Sequence, residues 1–301
     1  MMSQKLDFYF EDFINFLKTE RNISDATVIS YTTDFRQFLN FLSDSGIQPK
    51  LSFMSTPVLR RYFAYLKVDR NYSVNTIRRR IHSLSSYFKF LQEQQYIVSN
   101  PMLPIHAPKA PDILPKYLNT DEMNLLLQMP EKYSEPWYGH RNYVIILTLL
   151  MTGIRRSELL SLNWEDIDFG QQTLTVKHAK CNKQRVVPIT EPLISELWKY
   201  LQSRLPLNNN AVFISDRGNR LSSRPLSQEI QRYMHILGLD KKGYTLHTLR
   251  HTFASHLAMN GASILSIQKL LGHSDLNSTQ VYAHVNTEHL KSEVAKFPLS
   301  K

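Results

Sequence analysis

The sequence predicts a mainly α-helical protein in two parts, the second of which also holds a small β-hairpin. Apolar residues recur at helical spacing along most of the chain. Five prolines crowd into residues 100–115, where they favour an extended connection over a helix. Two short segments within residues 173–189 instead alternate apolar and polar residues, as strands do.

Length and composition fit a globular protein with a polyanionic partner. The chain has 301 residues, 42% of them apolar, which is enough for about two domains with cores of their own. Its 36 Lys and Arg against 26 Asp and Glu give a net charge of +10. Such an excess favours nucleic acid as a partner, although many basic proteins bind none.

Cysteine content and hydropathy point to the cytoplasm. The single cysteine, Cys181, excludes an internal disulfide framework and fits a reducing compartment. The first 16 residues carry four charged side chains, unlike a signal peptide. The most apolar stretch, residues 143–151, is shorter than the roughly 20 residues that span a bilayer. We therefore expect no membrane association.

The proline cluster sets the expected domain boundaries. Its members are Pro101, Pro104, Pro108, Pro111 and Pro115. We expect a helical domain over residues 1–103, a linker over 104–113 and a second domain over 114–301.

The first domain reads as helices with one basic segment. Apolar residues at helical spacing predict helices near residues 10–17, 28–42 and 73–91, with Ser24 as an N-cap. Residues 60–89 hold eight Lys or Arg and one Asp. Within that segment we expect Arg78, Arg79 and Arg80 to project away from the apolar face. Either they form a solvated surface or they bind DNA phosphates.

The second domain reads as helices around a hairpin. Strands are expected at residues 173–177 and 185–189, antiparallel, with a turn at 179–183. The expected helices lie near residues 120–129, 143–151, 191–201, 226–237, 248–259 and 264–271.

Four segments of this domain carry cationic or nucleophilic side chains. They are Thr152-Gly-Ile-Arg-Arg-Ser-Glu-Leu159, Lys180-Cys-Asn-Lys183, His247-Thr-Leu-Arg-His251 and Leu270-Leu-Gly-His273, with Tyr282 nine residues later. Together and in this order they resemble the tyrosine recombinase (phage integrase) family, the Xer recombinases especially. The resemblance covers most of the chain. It implies a helical core-binding (SAM-like) domain, then a mixed α/β catalytic domain with a small antiparallel sheet.

The resemblance also implies a role for each matching residue. Arg155 and Arg250 would clamp the scissile phosphate, because guanidinium groups stay charged and can donate two parallel hydrogen bonds to it. Tyr282 would be the nucleophile and His247 its proton acceptor. Lys180 would protonate the leaving 5′ oxygen, and His273 would hydrogen-bond the phosphate. Glu158 would orient the neighbouring side chains.

Some positions compete with these choices. Composition cannot separate Arg155 from Arg156, or Lys180 from Lys183; motif register favours the first of each pair. The turn departs from the family pattern, since Ala179 and Cys181 stand where glycines often flank the lysine. A zinc site at His247 and His251 is rejected, because the metalloprotease pattern needs a glutamate after the first histidine.

The function expected by resemblance is site-specific recombination through a 3′-phosphotyrosyl intermediate and a Holliday junction. The partners would be a double-stranded DNA site and a homotetramer assembled on it, with or without a paired recombinase. Neither metal nor cofactor is expected. The C-terminal tail, residues 283–301, would either fold on its own domain or dock on a neighbouring subunit. The alternatives are a type IB topoisomerase and a catalytically idle DNA-binding regulator.

Overall fold

The chain forms two compact units, residues 1–113 and 114–301. The computed structural model describes residues 4–110, 115–177 and 184–272. Lys180, Cys181, Lys183, His273, Tyr282 and the C-terminal tail therefore lie outside the described residues, as does part of the expected linker. None of the helices in the described parts is long and apolar enough to cross a membrane.

In the described part of the first unit, the regular elements longer than one turn are all α-helices. Its helices are α1 (Phe10–Thr19), α2 (Asp25–Asp44), α3 (Thr56–Val68) and α4 (Val74–Glu93). The side chains of Ser24 and Ser73 accept hydrogen bonds from the first-turn amides of α2 and α4, which satisfies donors that a helix leaves unpaired. The expected cap at Ser24 is thereby confirmed. Helix α4 packs against the other three.

Aromatic side chains fill the core of this unit. Phe13, Phe35 and Tyr87 lie at its centre; the Phe35 and Tyr87 rings meet edge-on with centroids 5.1 Å apart. The buried Tyr87 hydroxyl donates to the Leu6 carbonyl oxygen at 2.5 Å. Burial of these large aromatic side chains stabilises the unit. The hydrogen bond to Leu6 satisfies the buried Tyr87 hydroxyl.

The expectation that Arg80 projects outward is wrong. Its side chain is only 5% exposed, lies over the Tyr72 ring at 4.2 Å, and has its Nε 3.6 Å from the Asp34 carboxylate. The reason is helical register, because Arg80 lies three residues after Ile77 and four before Leu84, on the buried face. Arg79 pairs with the same carboxylate at 2.6 Å but stays 44% exposed.

The second unit surrounds one buried helix. Its helices are α5 (Thr120–Tyr133), α6 (Pro136–Thr152), α7 (Arg156–Ser161), α8 (Glu191–Ser203), α9 (Ser223–Ile236), α10 (Leu246–Met259) and α11 (Ile264–Leu271). Helix α6 is buried almost all round and packs against α5, α7, α8 and α10. The apolar stretch within it is thus a core helix, as expected.

A small antiparallel sheet completes this unit. Its strands, in sheet order, are β1 (Ile167–Asp168), β2 (Thr173–Lys177) and β3 (Gln184–Pro188). In the β2–β3 pair Thr175 lies opposite Val186, and the pairing runs out to Lys177 opposite Gln184. The expected antiparallel strand pair and the mainly helical class are confirmed, and the expected turn at 179–183 lies outside the described residues. Apolar spacing does not single out α3, α7 or the two-residue β1.

Candidate active site

Arg250 lies at the centre of the candidate site, one turn into α10. It is 3% exposed, and its guanidinium donates to the carbonyl oxygens of Gly153 and Leu271, both at 2.7 Å. Those carbonyls belong to the ends of α6 and α11, where helices carry partial negative charge. Arg250 therefore fastens three helices together at one point.

Two glycines make this meeting of helix ends possible. Gly153 and Gly272 end α6 and α11 with φ of 61° and 65°, a left-handed conformation that favours glycine. A Cβ on Gly272 would also stand 2.8 Å from the Nη1 atom of Arg185. The glycines of the Thr-Gly and Leu-Gly motifs are thus positions of sharp turns. Gly153 turns beside the Phe253 ring, and Gly272 turns beside the Arg185 guanidinium.

Arg155 opens α7 and faces the same helix ends. Its Nη1 donates to Glu158 Oε1 at 2.9 Å, and its Nη2 lies 3.3 Å from the Gly272 carbonyl oxygen. Its backbone amide donates to Glu158 Oε2 at 2.7 Å, which caps the helix. The side chain is 36% exposed, so its guanidinium remains accessible to an anion.

The neighbouring Arg156 makes a different hydrogen bond. Its Nη1 donates to the Ser227 hydroxyl on α9 at 2.7 Å. Of the two adjacent arginines, Arg155 is the one bonded to the Gly272 carbonyl, immediately before His273.

Arg185, on β3, belongs to the cluster although its sequence context did not mark it. Its guanidinium is bidentate on Glu158, with Nη1 to Oε1 at 3.0 Å and Nη2 to Oε2 at 2.7 Å. Its Nε donates to the Leu270 carbonyl oxygen at 2.8 Å. One signal could have found it: Arg185 shares a strand face with the buried Val187, so a charge stands at an inward position.

Glu158 is buried and stays ionised. Burial alone would raise the pKa of its carboxyl, but hydrogen bonds from the Arg185 guanidinium and the Arg155 amide outweigh burial and lower the pKa to about 2. The carboxylate thus offsets part of the repulsion between two guanidiniums.

His247 lies one turn before Arg250 on α10 and is an exposed residue. Partial desolvation, then the charges of Arg250, Arg155 and Arg156, lower the pKa of its imidazole below the usual 6.5. Its ring meets that of His251 edge-on at 4.9 Å, and burial with the nearby His247 and Arg250 lowers the pKa of His251 to about 4. Both imidazoles are therefore neutral near pH 7.

An open depression of about 530 Å³ adjoins these groups. Arg155, Arg156 and His247 line it, together with Tyr244 and Ser227. Cationic and hydrogen-bonding groups on its wall suit an anionic ligand such as a phosphodiester. Of the expected site residues, Arg155, Glu158, His247 and Arg250 are thus brought together.

The chain matches known proteins over nearly its whole length. Residues 116–289 match the phage integrase family, and residues 10–95 match the phage integrase N-terminal SAM-like domain. The tyrosine recombinase XerC of Thermodesulfovibrio yellowstonii is 34% identical over 304 residues, covering 98% of this chain and 97% of that protein. The tyrosine recombinase XerD of Oceanobacillus iheyensis is 35% identical over 297 residues, covering 95% and 96%.

Solved structures agree on the fold. A XerH site-specific recombinase, bound to a palindromic difH substrate in a post-cleavage complex, superimposes with a TM-score of 0.77 at 23% identity. The match covers 95% of this chain and 84% of that one. The SAM-like first domain and the mixed second domain expected from the sequence are confirmed.

Proposed function

Since the chain belongs to the phage integrase family of tyrosine recombinases, we propose that it is a site-specific recombinase whose Tyr282 cleaves and rejoins DNA strands. The observation that carries the proposal is that Arg155 and His247 line one open depression, with the Arg250 charge close enough to lower the pKa of His247. Phosphodiester exchange needs positive charge and hydrogen-bond donors at the phosphate, because negative charge builds on the non-bridging oxygens as phosphorus becomes five-coordinate.

The proposed reaction is a transesterification. The Tyr282 phenolic oxygen attacks phosphorus and forms a phosphotyrosyl bond, while the bond from phosphorus to the 5′ oxygen breaks. His247 takes the phenolic proton, and Lys180 gives a proton to the leaving 5′ oxygen. Arg155, Arg250 and His273 hold the non-bridging oxygens. A 5′ hydroxyl from another strand reverses these steps, so the ester energy is conserved.

The ionisation of His247 supports its role as proton acceptor. A phenol with a pKa near 10 is protonated at neutral pH and needs a base to become a nucleophile. Its lowered pKa leaves His247 neutral at pH 7, with a ring nitrogen able to accept that proton.

The proposed partner is a double-stranded DNA site on which four subunits assemble, with or without a paired recombinase. Two rounds of strand exchange would pass through a Holliday junction. Whether the product is dimer resolution, integration or excision depends on how the sites are arranged.

The test begins with the DNA itself. Sequencing of duplexes captured in cells by the Tyr282→Phe variant would identify the site. The wild-type protein is then incubated with that duplex carrying a nick next to the scissile phosphate. We expect a protein–DNA adduct that survives denaturation, is absent with Tyr282→Phe, and is kept by the surface control Tyr133→Phe.

Other outcomes separate the rival functions. Binding without an adduct from the wild-type protein would contradict the proposal and indicate a DNA-binding regulator. Relaxation of a supercoiled plasmid that lacks the site, without strand exchange, would indicate a topoisomerase.

A further inference from the structure

We propose that Arg185 is a positioning residue for cleavage, which holds Glu158 in place and thereby aims the Arg155 guanidinium at the scissile phosphate. The inference rests on the proposed function. It concerns a residue that contacts Glu158 and the end of α11, and its tests include one that needs no catalysis.

The first support is the way two arginines share one carboxylate. Glu158 Oε1 accepts from Arg155 Nη1 at 2.9 Å and from Arg185 Nη1 at 3.0 Å. Glu158 Oε2 accepts from the Arg155 backbone amide at 2.7 Å and from Arg185 Nη2 at 2.7 Å. Each oxygen thus serves both arginines, so the place of one guanidinium depends on the other.

The second support is the difference in burial between the two. The Arg185 side chain is 10% exposed, whereas that of Arg155 is 36% exposed. A buried bidentate pair fixes the plane of the carboxylate. The more exposed arginine, whose long side chain has rotamer freedom to lose, then binds to an acceptor that is already oriented.

The third support is the connection to α11. Arg185 Nε donates to the Leu270 carbonyl oxygen at 2.8 Å, two residues before Gly272, whose own carbonyl accepts from Arg155. The guanidinium lies so close to this turn that a Cβ on Gly272 would be 2.8 Å from its Nη1 atom. Arg185 therefore joins β3, α7 and the end of α11.

These contacts predict that loss of Arg185 slows cleavage much more than it weakens DNA binding. In Arg185→Gln, Glu158 loses its bidentate partner and Arg155 loses a fixed acceptor. We expect adduct formation at saturating DNA to slow by about 100-fold, as when one preorganised donor is lost. The dissociation constant for the site should change less than about threefold, because phosphate contacts are spread over many residues. Arg185→Lys keeps the positive charge but not the bidentate geometry of a guanidinium. Its adduct formation should therefore be about tenfold faster than that of Arg185→Gln.

The matched control is Arg204→Gln. Arg204 is also a buried arginine that donates to backbone carbonyl oxygens, those of Ala211 and Val212, but it has no bond to Glu158. We expect it to lose stability while keeping the adduct rate, measured well below the unfolding temperature of each variant. An equal slowing in Arg204→Gln and Arg185→Gln would overturn the proposal.

A double-mutant comparison tests whether Arg185 acts through Arg155. In an Arg155→Lys background, adding Arg185→Gln should slow adduct formation by less than about threefold, since coupled residues are not additive. Full multiplication of the two effects would show that Arg185 acts independently, and the proposal would be wrong. Should Arg185→Gln not fold, Arg185→Lys serves in the same comparison.

A second readout needs no reaction. Nitrogen-15 NMR of the arginine side chains, with the Arg155 signal assigned from its loss in Arg155→Lys, reports how tightly that guanidinium is held. We expect slowed hydrogen exchange at Arg155 in the wild type and fast exchange in Arg185→Gln. Unchanged exchange would refute the positioning role. Absence of an adduct from the wild type would refute only the proposed function, and the NMR comparison would still decide on Arg185.

Discussion

Arg250 is the residue in which a structural role, shown by its contacts, meets a proposed catalytic one. We expect Arg250→Ala to nearly abolish adduct formation, because removing one preorganised donor commonly costs two to three decades, about 3–4 kcal/mol. The same change takes donors from the carbonyls of Gly153 and Leu271, so stability should fall by about 1–3 kcal/mol.

Two measurements separate those effects. Denaturant unfolding gives the stability loss, and binding of the captured DNA site should stay within about tenfold of wild type. Arg204→Gln, which removes a buried arginine that also donates to a backbone carbonyl oxygen but does not line the depression, is the control for adduct formation. Loss of DNA binding together with cleavage would indicate that Arg250 acts only on the fold.

Glu158 gives stability a characteristic pH dependence. Because folding lowers the pKa of this carboxyl from 4.5 to about 2, its stabilisation is complete above the unfolded value and is lost as pH falls toward 2. We expect Glu158→Gln to cost about 3 kcal/mol at pH 7. At pH 3.5 that difference should be smaller by about 1 kcal/mol.

Urea unfolding at the two pH values checks this. Glu196→Gln is a suitable control, because Glu196 pairs with Lys199 and His140 nearer the surface. A Glu158→Gln difference that does not change with pH would mean that the carboxylate is not held by its arginines.

Sequence reasoning placed these residues together where their partners are close in sequence. Arg155 and Glu158 are three positions apart in one motif, as are His247 and Arg250 in another, and the four lie together in the structure. Their catalytic roles stay predictions. Arg185 could not be paired in the same way, because its partner Glu158 is 27 positions earlier and on another element. Long-range pairs of this kind follow from packing, which periodicity does not contain.

At the scale of elements, periodicity predicted the β2–β3 strand pair and the long helices except α3, which has 13 residues. The short α7 and the two-residue β1 escaped it, since neither is long enough to show a period. Arg80 is the instructive error: its position matched the apolar stripe of α4, but its charge suggested the surface. Tyr72 and Asp34 accommodate that charge inside, and neither is adjacent to it in sequence.

The end of α11 offers a test of how the turn supports the site. Gly272→Ala places a methyl group at positive φ, which costs about 1–2 kcal/mol, and presses it against the Arg185 guanidinium. We expect both lower stability and slower adduct formation. Gly238→Ala is closely matched, because Gly238 also has positive φ, 68°, but has no neighbour within 4 Å of the added carbon.

Comparing Gly272→Ala with Gly238→Ala separates crowding of the Arg185 guanidinium from backbone strain. Thermal unfolding of both variants gives the shared backbone cost, and adduct formation should fall in Gly272→Ala alone. Equal adduct rates would mean that Arg185 adapts without consequence.

At the scale of the whole molecule, the charge of +10 makes phosphate binding salt-dependent. Arg78 and Arg79 are the more accessible of the three consecutive arginines on α4 and stay proposed as DNA-binding residues. We expect the pair Arg78→Gln and Arg79→Gln to reduce the slope of log affinity against log salt by about two, close to 0.9 for each phosphate that is no longer neutralised.

Arg80→Gln provides the contrast. Because this side chain is buried with Asp34, its loss should lower the unfolding free energy and leave the salt slope unchanged. Titrations at several salt concentrations measure the slope. A change caused by Arg80→Gln as large as that caused by the outer pair would contradict the assignment.

The shared carboxylate of Glu158 also determines how the chain can tolerate mutation. Replacing either arginine still leaves the ionised acid one cationic neighbour. Replacing the acid leaves two facing cations with nothing between them. In relatives, substitutions at the position of Arg185 should therefore be more frequent than at the position of Glu158. A relative that lacks the glutamate should also lack at least one of the two arginines.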